Sequence, residues 1–448
     1  MAASRRAACV VTELPGPRSR ALRADEALHL APGIQQLSTL SGLAMVRGDG
    51  ALLGDADGNT FIDFVAGLGT ASLGHGHPAL AAALHEQAGR LSSGSFTTEA
   101  RLELLTRIVG SAPTPELACV QLYSGGAEAV ESALRLARAA TGRFEVLSFW
   151  GGFHGKTGGV VGLLGSDFKH GLGPATPGQH LVPYADCARC AFALRPESCG
   201  LHCVEFLRQF IRHNTSGSLA AILVEPIQGT AGNVIPPPGW LAAVQTVARE
   251  CGALLIVDEM ITGWGRSGAL WASATAELAP DIITFGKGVG GGFPVSGLLT
   301  RRELAAAEPW SRPSFSSSSY GGSPLAAAAA NAVTRVIIEE RLADHARALG
   351  AELLVALQAL AARSPLVKNV RGQGLLLGFD LIAEDGQPLP RERCAQLFHA
   401  CLRRGLVTLC YAPRVRINPP LVITREQALE GMELLGQACA ELSLGGKA

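Results

Sequence analysis

An aspartate and a lysine follow two successive apolar runs in this 448-residue chain. ALLIVDE (253–259) contains Asp258, and DIITFGKG reaches Lys287, 29 residues later. Short continuous apolar runs predict buried parallel strands, so both side chains are expected at the carboxyl ends of strands, where α/β proteins bind ligands. A carboxylate there can hold a pyridine nitrogen protonated, and a lysine amine can form a Schiff base with an aldehyde and then carry a proton. Either residue alone has an ordinary explanation, a helix cap for the aspartate and a surface charge for the lysine.

Three further groups of residues favour one shared site. SGGAE (124–128) ends a predicted strand and opens a helix, a place where backbone N–H groups bind phosphate. FHGKT supplies Phe153 and His154, aromatic side chains suited to stacking on a planar ring. VEPIQG places Glu225 and Gln228 at another strand end, where a polar side chain could meet a ring hydroxyl. Phosphate cradle, ring stack, nitrogen partner, hydroxyl partner and lysine together predict pyridoxal 5'-phosphate (PLP) as the cofactor.

The elements that must position these residues alternate along the chain. Helical patterns such as AEAVESALRLARAA separate short apolar runs at 119–124, 145–149, 220–226, 253–259 and 281–285. This alternation predicts an α/β domain with a central sheet. After SSSSYGGSP (316–324) a long helical stretch leads to a small α+β region. We therefore expect residues 1–55 to form an N-terminal arm or part of the small domain, residues 56–325 a large cofactor-binding domain and residues 326–448 a C-terminal small domain.

Two glycine-rich stretches suggest nucleotide binding but do not meet its requirements. GWGRSG (263–268) fits GxGxxG, yet its first glycine comes five residues after Asp258, and Asp281 begins the next strand instead of ending it. GGFHGKT (151–157) lacks the first glycine of a phosphate loop, because Trp150 stands there.

Composition gives no indication of a macromolecular partner. Lys plus Arg and Asp plus Glu balance at 38 each, so there is no basic footprint for nucleic acid or an anionic membrane. No apolar run approaches the roughly 20 residues of a bilayer span. Most of the 11 cysteines are scattered singly, which is typical of reduced thiols. We expect a cytoplasmic chain without nucleic-acid or membrane partners.

Four cysteines are the exception to this scatter. Cys187, Cys190, Cys199 and Cys203 form C-x2-C-x8-C-x3-C in a segment rich in turn residues. Paired thiolates at this spacing suit a tetrahedral structural zinc ion. Four reduced cysteines that pack an insertion are the alternative.

The motifs and their order resemble the class-III aminotransferases, a subgroup of the fold-type-I PLP enzymes. The matching stretches run from about residue 50 to 425 and read DGNTFIDFVAG, LGHGHP, SGGAEAVESALRLARAATGR, FHGKT, VEPIQG, LLIVDEMITGWGRSG, PDIITFGKGVGGGFP, SYGGSP and VRINPPLVIT. The resemblance implies an α/β fold of fold type I, with a large domain around a mostly parallel sheet of the seven-stranded type and a small α+β domain.

The resemblance also implies roles for individual residues. Lys287 would be the Schiff-base lysine and Asp258 the partner of the pyridine nitrogen, with Phe153 stacked on the ring. Ser319 would reach the phosphate bound by a neighbouring subunit, which implies a homodimer with shared active sites. The phosphate would be surrounded by Gly125, Gly126 and Ala127.

For the substrate, Arg416 would bind the carboxylate of an amino acid or keto acid. Arg414 is a nearby competitor for that role, although a surface arginine is its more ordinary explanation.

The sequence departs from the family pattern at five positions. Gly125 replaces the usual Ser or Thr of the phosphate cradle, Ser319 replaces Thr, and Ser323 replaces Asn. Thr230 stands where ornithine and 4-aminobutyrate transaminases carry a Glu that can pair with the arginine matched by Arg416. Ile261 stands where they carry Gln. With Thr230 and Ile261 the sequence resembles amine, β-alanine or alanine-type transaminases, or the racemase branch of the family, more than the ornithine and 4-aminobutyrate enzymes.

We therefore predict ping-pong transamination from an amine or amino acid to a keto acid. Amino-acid racemisation or epimerisation, or a phospho-lyase reaction, is the alternative on the same cofactor, because all begin with loss of a proton at the substrate carbon. A non-catalytic binding protein is disfavoured by the presence of both Lys287 and Asp258.

Overall fold

The computed structural model describes residues 6–444, so the first five residues of the predicted arm and the last four of the predicted small domain lie outside it. In chain order the strands are β1 Met45–Asp49, β2 Leu52–Asp55, β3 Thr60–Asp63, β4 Leu117–Tyr123, β5 Glu145–Phe149, β6 Gln179–Val182, β7 Leu219–Val224, β8 Leu254–Asp258, β9 Ile282–Phe285, β10 Ser296–Arg301, β11 Val367–Gln373, β12 Leu376–Leu381, β13 Leu406–Val407 and β14 Arg414–Ile417.

The helices follow the same order. They are α1 Pro17–Ala27, α2 Gln36–Ser41, α3 Ala66–Gly69, α4 Pro78–Ala88, α5 Glu99–Gly110, α6 Gly126–Thr141, α7 His202–Asn214, α8 Trp240–Glu250, α9 Ala272–Thr275, α10 Arg302–Ala305, α11 Pro324–Glu339, α12 Leu342–Arg363, α13 Arg391–Arg403 and α14 Arg425–Leu444.

The chain groups into two compact units. The central unit is Ala82–Asp344, and the terminal unit combines the residues up to Ala81 with those from His345 onward. The domain boundaries expected from the sequence, at residues 55 and 325, stay a prediction.

A seven-stranded sheet organises the central unit, in the order β4-β10-β9-β8-β7-β5-β6. The pairs β9–β8, β8–β7, β7–β5 and β5–β6 are parallel, whereas β10 pairs antiparallel with both β4 and β9. The predicted α/β fold with a mostly parallel sheet is confirmed. The parallel order brings the carboxyl ends of β5, β7, β8 and β9 to one edge.

Helices cover both faces of this sheet, which explains why its strands are apolar on both sides. Val130, Leu134 and Ala137 of α6 lie in a buried cluster with Val146 and other side chains of one face. On the opposite face α7 and α8 pack against strand residues in a second buried cluster. The N-terminus of α6 is therefore held at a fixed place relative to the carboxyl ends of the strands.

The terminal unit contains two smaller sheets. β1, β2, β3 and β13 form a four-stranded sheet, and β11, β12 and β14 form a three-stranded one. The four-stranded sheet combines β1 and β2 of the predicted N-terminal arm, and the neighbouring β3, with β13 near the other end of the chain, whereas all three strands of the second sheet come from the predicted small domain.

The long helical stretch after residue 324 is not one helix. It divides into α11 and α12, because Arg341 adopts a left-handed conformation (φ 52°) that an α-helix cannot continue through. The exposed guanidinium of Arg341 lies 2.7 Å from a carboxylate oxygen of Asp344.

Across residues 6–444, none of the helices combines the length and the apolar character that crossing a bilayer requires.

Candidate active site

Asp258 ends β8 and makes two well-defined contacts. Its Oδ2 lies 2.8 Å from Nδ1 of His154, and its Oδ1 accepts a hydrogen bond from the backbone N–H of Met260 at 3.0 Å. The aspartate is only 2% exposed, so its carboxylate needs such partners. The side chain is therefore held in one orientation at the sheet edge.

His154 lies beside Asp258 and is buried. Its second ring nitrogen, Nε2, is 2.9 Å from Oγ of Ser148. Burial by itself lowers the pKa of His154, but the hydrogen bond and the charge of Asp258 outweigh it and raise the pKa above the ordinary value. The sequence suggested an aromatic pair for stacking. In the structure both ring nitrogens of His154 have hydrogen-bond partners, and the cofactor-binding roles of Phe153 and His154 stay predictions.

Glu225 and Gln228 hold the segment that carries Phe153. Glu225 Oε2 accepts the backbone N–H of Phe153 at 3.0 Å, and the Gln228 amide donates to the carbonyl of Trp150 at 2.9 Å. The Phe153 ring meets the ring of Phe168 edge-on, with 5.8 Å between centroids. Burial raises the pKa of Glu225 to about 7, although the charge of His154 opposes this. The ring-hydroxyl role given to Glu225 and Gln228 stays a prediction.

The N-terminus of α6 forms an open cradle at the same end of the sheet. Apart from its chain neighbours, no described heavy atom lies within 4 Å of the place that a Cβ on Gly125 would take. A Cβ on Gly155 would lie 2.4 Å from the Cβ of Ala127, and the φ of Gly155 is +116°, so only glycine fits beside this first turn. The cradle combines free space with the positive end of a 16-residue helix.

Lys287 follows β9, the strand next to β8, and starts the short 3₁₀ turn Lys287–Gly290. Its φ is +45°, an unusual value for a residue with a side chain. Strained backbone of this kind persists where the surrounding structure fixes it, and such places cluster at functional sites.

Met260 contacts three parts of this site, and no sequence motif singles it out. Its backbone N–H bonds Asp258, as described above. Its sulfur lies 3.1 Å from the place of a Cβ on Gly126 and 2.7 Å from that on Gly286. Glycines in the cradle and before Lys287 therefore make room for one methionine.

Glu259 is a second feature that sequence reasoning missed. It is fully buried, and its oxygens accept hydrogen bonds from the N–H groups of Ala272 and Ser273 and from the Thr262 hydroxyl, at 3.0, 2.7 and 2.6 Å. Burial raises the pKa of Glu259 against the effect of these donors. Glu259 therefore fixes the start of α9. Of the two adjacent acids Asp258 and Glu259, the second has a structural role.

The loop 316–323 carries two of the positions that depart from the family pattern. Ser319 is exposed. Ser323 caps α11, because its Oγ accepts the N–H of Ala326 at 3.4 Å. Serine thus serves at 323 as an asparagine would.

Arg416 lies on β14 in the terminal unit, where its side chain is hydrogen-bonded to Tyr411. It is partly exposed, yet desolvation lowers its pKa against the effect of Tyr411. Arg414 lies on the same strand and is also partly buried. The substrate role given to Arg416 stays a prediction.

The cysteine segment does not form the expected zinc site. Cys187, Cys190, Cys199 and Cys203 line one cavity of about 30 Å³. Within residues 6–444, however, no three His, Cys, Asp or Glu side chains are arranged to hold a metal ion. Burial raises the pKa of Cys187 and of Cys203, which favours thiols over the thiolates that metals bind. Zinc is therefore not supported, and reduced cysteines that pack an insertion fit the structure.

Comparisons with known proteins agree on one family. Residues 35–439 match the family described as Aminotransferase class-III. The chain is 34% identical over 413 residues to the acetylornithine aminotransferase of Methanothermobacter thermautotrophicus, covering 91% of this chain and 97% of that one. It is 31% identical over 450 residues to the alanine/serine racemase of Pyrococcus horikoshii, covering 97% and 93%.

A solved structure gives the same result. An amine transaminase from an uncultivated Pseudomonas species, in its PLP-bound form, superposes with a TM-score of 0.86 at 30% identity. The superposition covers 92% of this chain and 98% of that one. The chain belongs to the class-III aminotransferases. The expected family, fold class and transaminase activity are thereby confirmed.

Proposed function

We propose that the chain is a PLP-dependent transaminase that moves an amino group from an amine or amino acid to a keto acid in two half-reactions. The observation that carries the proposal is the meeting of Asp258, Lys287 and the α6 N-terminus at one edge of the central sheet. The PLP-bound amine transaminase, which shares the fold, supports the choice of cofactor.

The residues at this edge fit PLP. When bound, PLP supplies an electron sink for negative charge on the substrate carbon. The buried carboxylate of Asp258 would hold the pyridine nitrogen, and Phe153 would cover a ring face. The α6 N-terminus, with Gly125, Gly126 and Ala127, would hold the phosphate. Glu225 and Gln228 hold the loop that carries Phe153.

Lys287 would perform the proton transfers. Its Nζ would hold the cofactor until a substrate amine displaces it, and would then carry a proton from the substrate carbon to the former aldehyde carbon of the cofactor. The turn Lys287–Gly290 fixes the backbone from which this amine reaches. The contact between Asp258 and the buried His154 would hold the carboxylate in one orientation through these steps.

Arg416 would bind the carboxylate of the keto acid. Its guanidinium is desolvated and paired with a neutral tyrosine hydroxyl, so an incoming carboxylate would gain a charge-assisted hydrogen bond. Position 230 is a threonine, so the chain lacks the carboxylate that the resemblance associates with neutralising this arginine. This favours donors other than ornithine or 4-aminobutyrate.

Racemisation or epimerisation of an amino acid is the second candidate. The observation in its favour is the identity over nearly the whole chain to a protein named alanine/serine racemase. A phospho-lyase reaction would use the same first proton transfer.

We also propose a homodimer that works in the cytoplasm. The exposed Ser319 would reach the phosphate bound by the partner subunit, and the exposed aromatic side chain of Tyr320 adjoins it. All 11 cysteines are free thiols, which supports a reducing compartment.

Borohydride reduction tests the lysine. PLP-loaded protein is treated with sodium borohydride, digested and analysed by mass spectrometry. We expect PLP fixed to the peptide of Lys287, and none in the Lys287→Ala variant. Lys156→Ala, which removes the lysine of the FHGKT motif, is the matched control and should be labelled like the wild type. Equal labelling of Lys287→Ala would contradict the assignment.

Product analysis then separates the two reactions. A transaminase mixed with donor alone should release about one equivalent of carbonyl product per subunit, since the amino group stays behind. A racemase would interconvert enantiomers and release no carbonyl product. The donors that respond define the substrate class.

A further inference from the structure

A buried serine, histidine and aspartate form a continuous chain behind the candidate cofactor site. Ser148 lies on β5, His154 follows in the next loop, and Asp258 ends β8. The contacts are 2.9 Å from Ser148 Oγ to His154 Nε2 and 2.8 Å from His154 Nδ1 to Asp258 Oδ2. The three residues are 0%, 3% and 2% exposed, so water does not compete for these bonds.

The serine hydroxyl matches both protonation states of the histidine. When His154 is neutral, Nδ1–H donates to Asp258 and Nε2 accepts a hydrogen bond from the Ser148 O–H. When His154 is protonated, Nε2–H donates to the Ser148 oxygen instead. A hydroxyl can rotate from donor to acceptor, which an amide or a carboxylate cannot do. The imidazole therefore gains or loses a proton without turning.

The backbone at Gly152 packs closely against Ser148 and His154. A Cβ on Gly152 would lie 3.1 Å from His154 Nε2, 3.6 Å from Ser148 Oγ and 2.9 Å from the carbonyl oxygen of Phe149. Only glycine at 152 lets the chain approach so closely. The charged groups that act on His154 are Asp258, Glu225 and Lys287, which belong to three other strand ends.

We propose that Ser148 and His154 are positioning residues for Asp258: the hydroxyl keeps the imidazole, and through it the carboxylate, in one place whichever protonation state the histidine adopts. For the catalytic cycle this rests on the proposed function, since Asp258 would face the pyridine nitrogen. The imidazole can then gain or lose a proton while the carboxylate keeps its position.

The test follows the protonation of His154 directly. Exchange of the imidazole C2 hydrogen for deuterium, read by mass spectrometry on the His154 peptide, depends on pH with a midpoint at the histidine pKa. It is measured in cofactor-free protein, so it does not depend on activity. In Ser148→Ala both states of the ring lose the partner of Nε2, but the protonated ring loses the stronger, charge-assisted bond, so we expect the midpoint to move down by about 0.5 to 1 pH unit.

Three variants make the result specific. Ser148→Thr keeps the hydroxyl and should keep the wild-type midpoint, and Ser148→Cys, a weaker partner of similar size, should give an intermediate one. Ser364→Ala removes a buried hydroxyl that has no hydrogen-bond partner among the described residues, and should change nothing. An unchanged midpoint in a folded Ser148→Ala or Ser148→Cys protein overturns the proposal. Loss of borohydride labelling at Lys287 would instead refute the proposed function, so the two failures are distinguishable.

Discussion

Two buried acids beside His154 differ in how they are compensated. Asp258 has the imidazole and a backbone N–H as partners, whereas Glu225 accepts one backbone N–H from Phe153. Burial accordingly dominates at Glu225 and raises its pKa to about 7. The charge of Glu225 therefore changes near neutral pH.

This gives a prediction on stability. The glutamate of the unfolded chain ionises near 4.5, whereas the folded protein keeps its proton up to about 7. Between these pH values the folded state binds more protons, so stability is highest below pH 4.5 and falls as pH rises through 7. Glu225→Gln should remove that dependence, which amounts to at most about 3 kcal/mol. The melting temperature of cofactor-free wild type relative to Glu225→Gln should therefore decline from pH 5 to pH 8.

The exposed Glu116 offers a matched control. Glu116→Gln should follow the wild-type pH profile throughout. A constant difference between wild type and Glu225→Gln from pH 5 to pH 8 would show that Glu225 is already ionised at the lower pH.

At the residue scale, sequence reasoning reached the strand-end positions and missed their partners. Asp258 and Lys287 could be singled out because each ends an apolar run that predicts a buried strand. Ser148 could not, because β5 is an ordinary apolar strand and nothing in its sequence points to a histidine six residues later. His154 and Asp258 are 104 residues apart, and only the order of strands in the sheet brings them together.

At the element scale, the sequence predicts four of the parallel strands of the central sheet. β5, β7, β8 and β9 are short continuous apolar runs, and the structure places them close to the expected bounds. β6 and β10 were not identified, since QHLV is short and half-exposed and SGLLTR contains a glycine. The break between α11 and α12 was hidden as well, because Arg341 is a good helix former that tertiary structure holds in a left-handed conformation.

The start of α11 gives a prediction at this scale. Ser323→Ala removes the side-chain acceptor of the Ala326 N–H and should destabilise the protein by roughly 0.5 to 1 kcal/mol. Ser323→Asn introduces the residue that the family prefers and should stay within a few tenths of a kcal/mol of the wild type. Thermal unfolding of the three proteins side by side measures both effects. Equal stability of the alanine and serine proteins would show that the cap contributes nothing.

At the scale of the whole molecule, several exposed aromatic side chains indicate a surface that a second subunit would cover. Phe96, Phe315 and Tyr320 of the central unit are 82%, 55% and 70% exposed, which is unusual for large apolar groups on a monomer. Such groups are typical of the central part of a protein–protein interface. The proposed homodimer would bury them.

Tyr320→Glu tests this arrangement. A charge placed in the proposed interface should convert the dimer to monomer at micromolar concentration, measured by light scattering after size-exclusion chromatography. Val355→Glu puts the same charge on an exposed apolar residue of α12 and should leave the dimer intact. A monomeric wild type, or a Tyr320→Glu protein that remains fully dimeric, would argue against this interface.

The division of the chain into two units also determines the order in which their parts are synthesised. Residues up to Ala81 belong with those from His345 onward, so the first part of the terminal unit is synthesised long before the second. At about 5–20 residues per second, the ribosome needs roughly 13 to 50 s to make the intervening central unit. During that interval the strands β1, β2 and β3 have no β13 to pair with, while every strand of the seven-stranded sheet becomes available. The nascent chain is therefore expected to form the proposed cofactor-binding edge before Arg416 of β14, the proposed substrate arginine, has been translated.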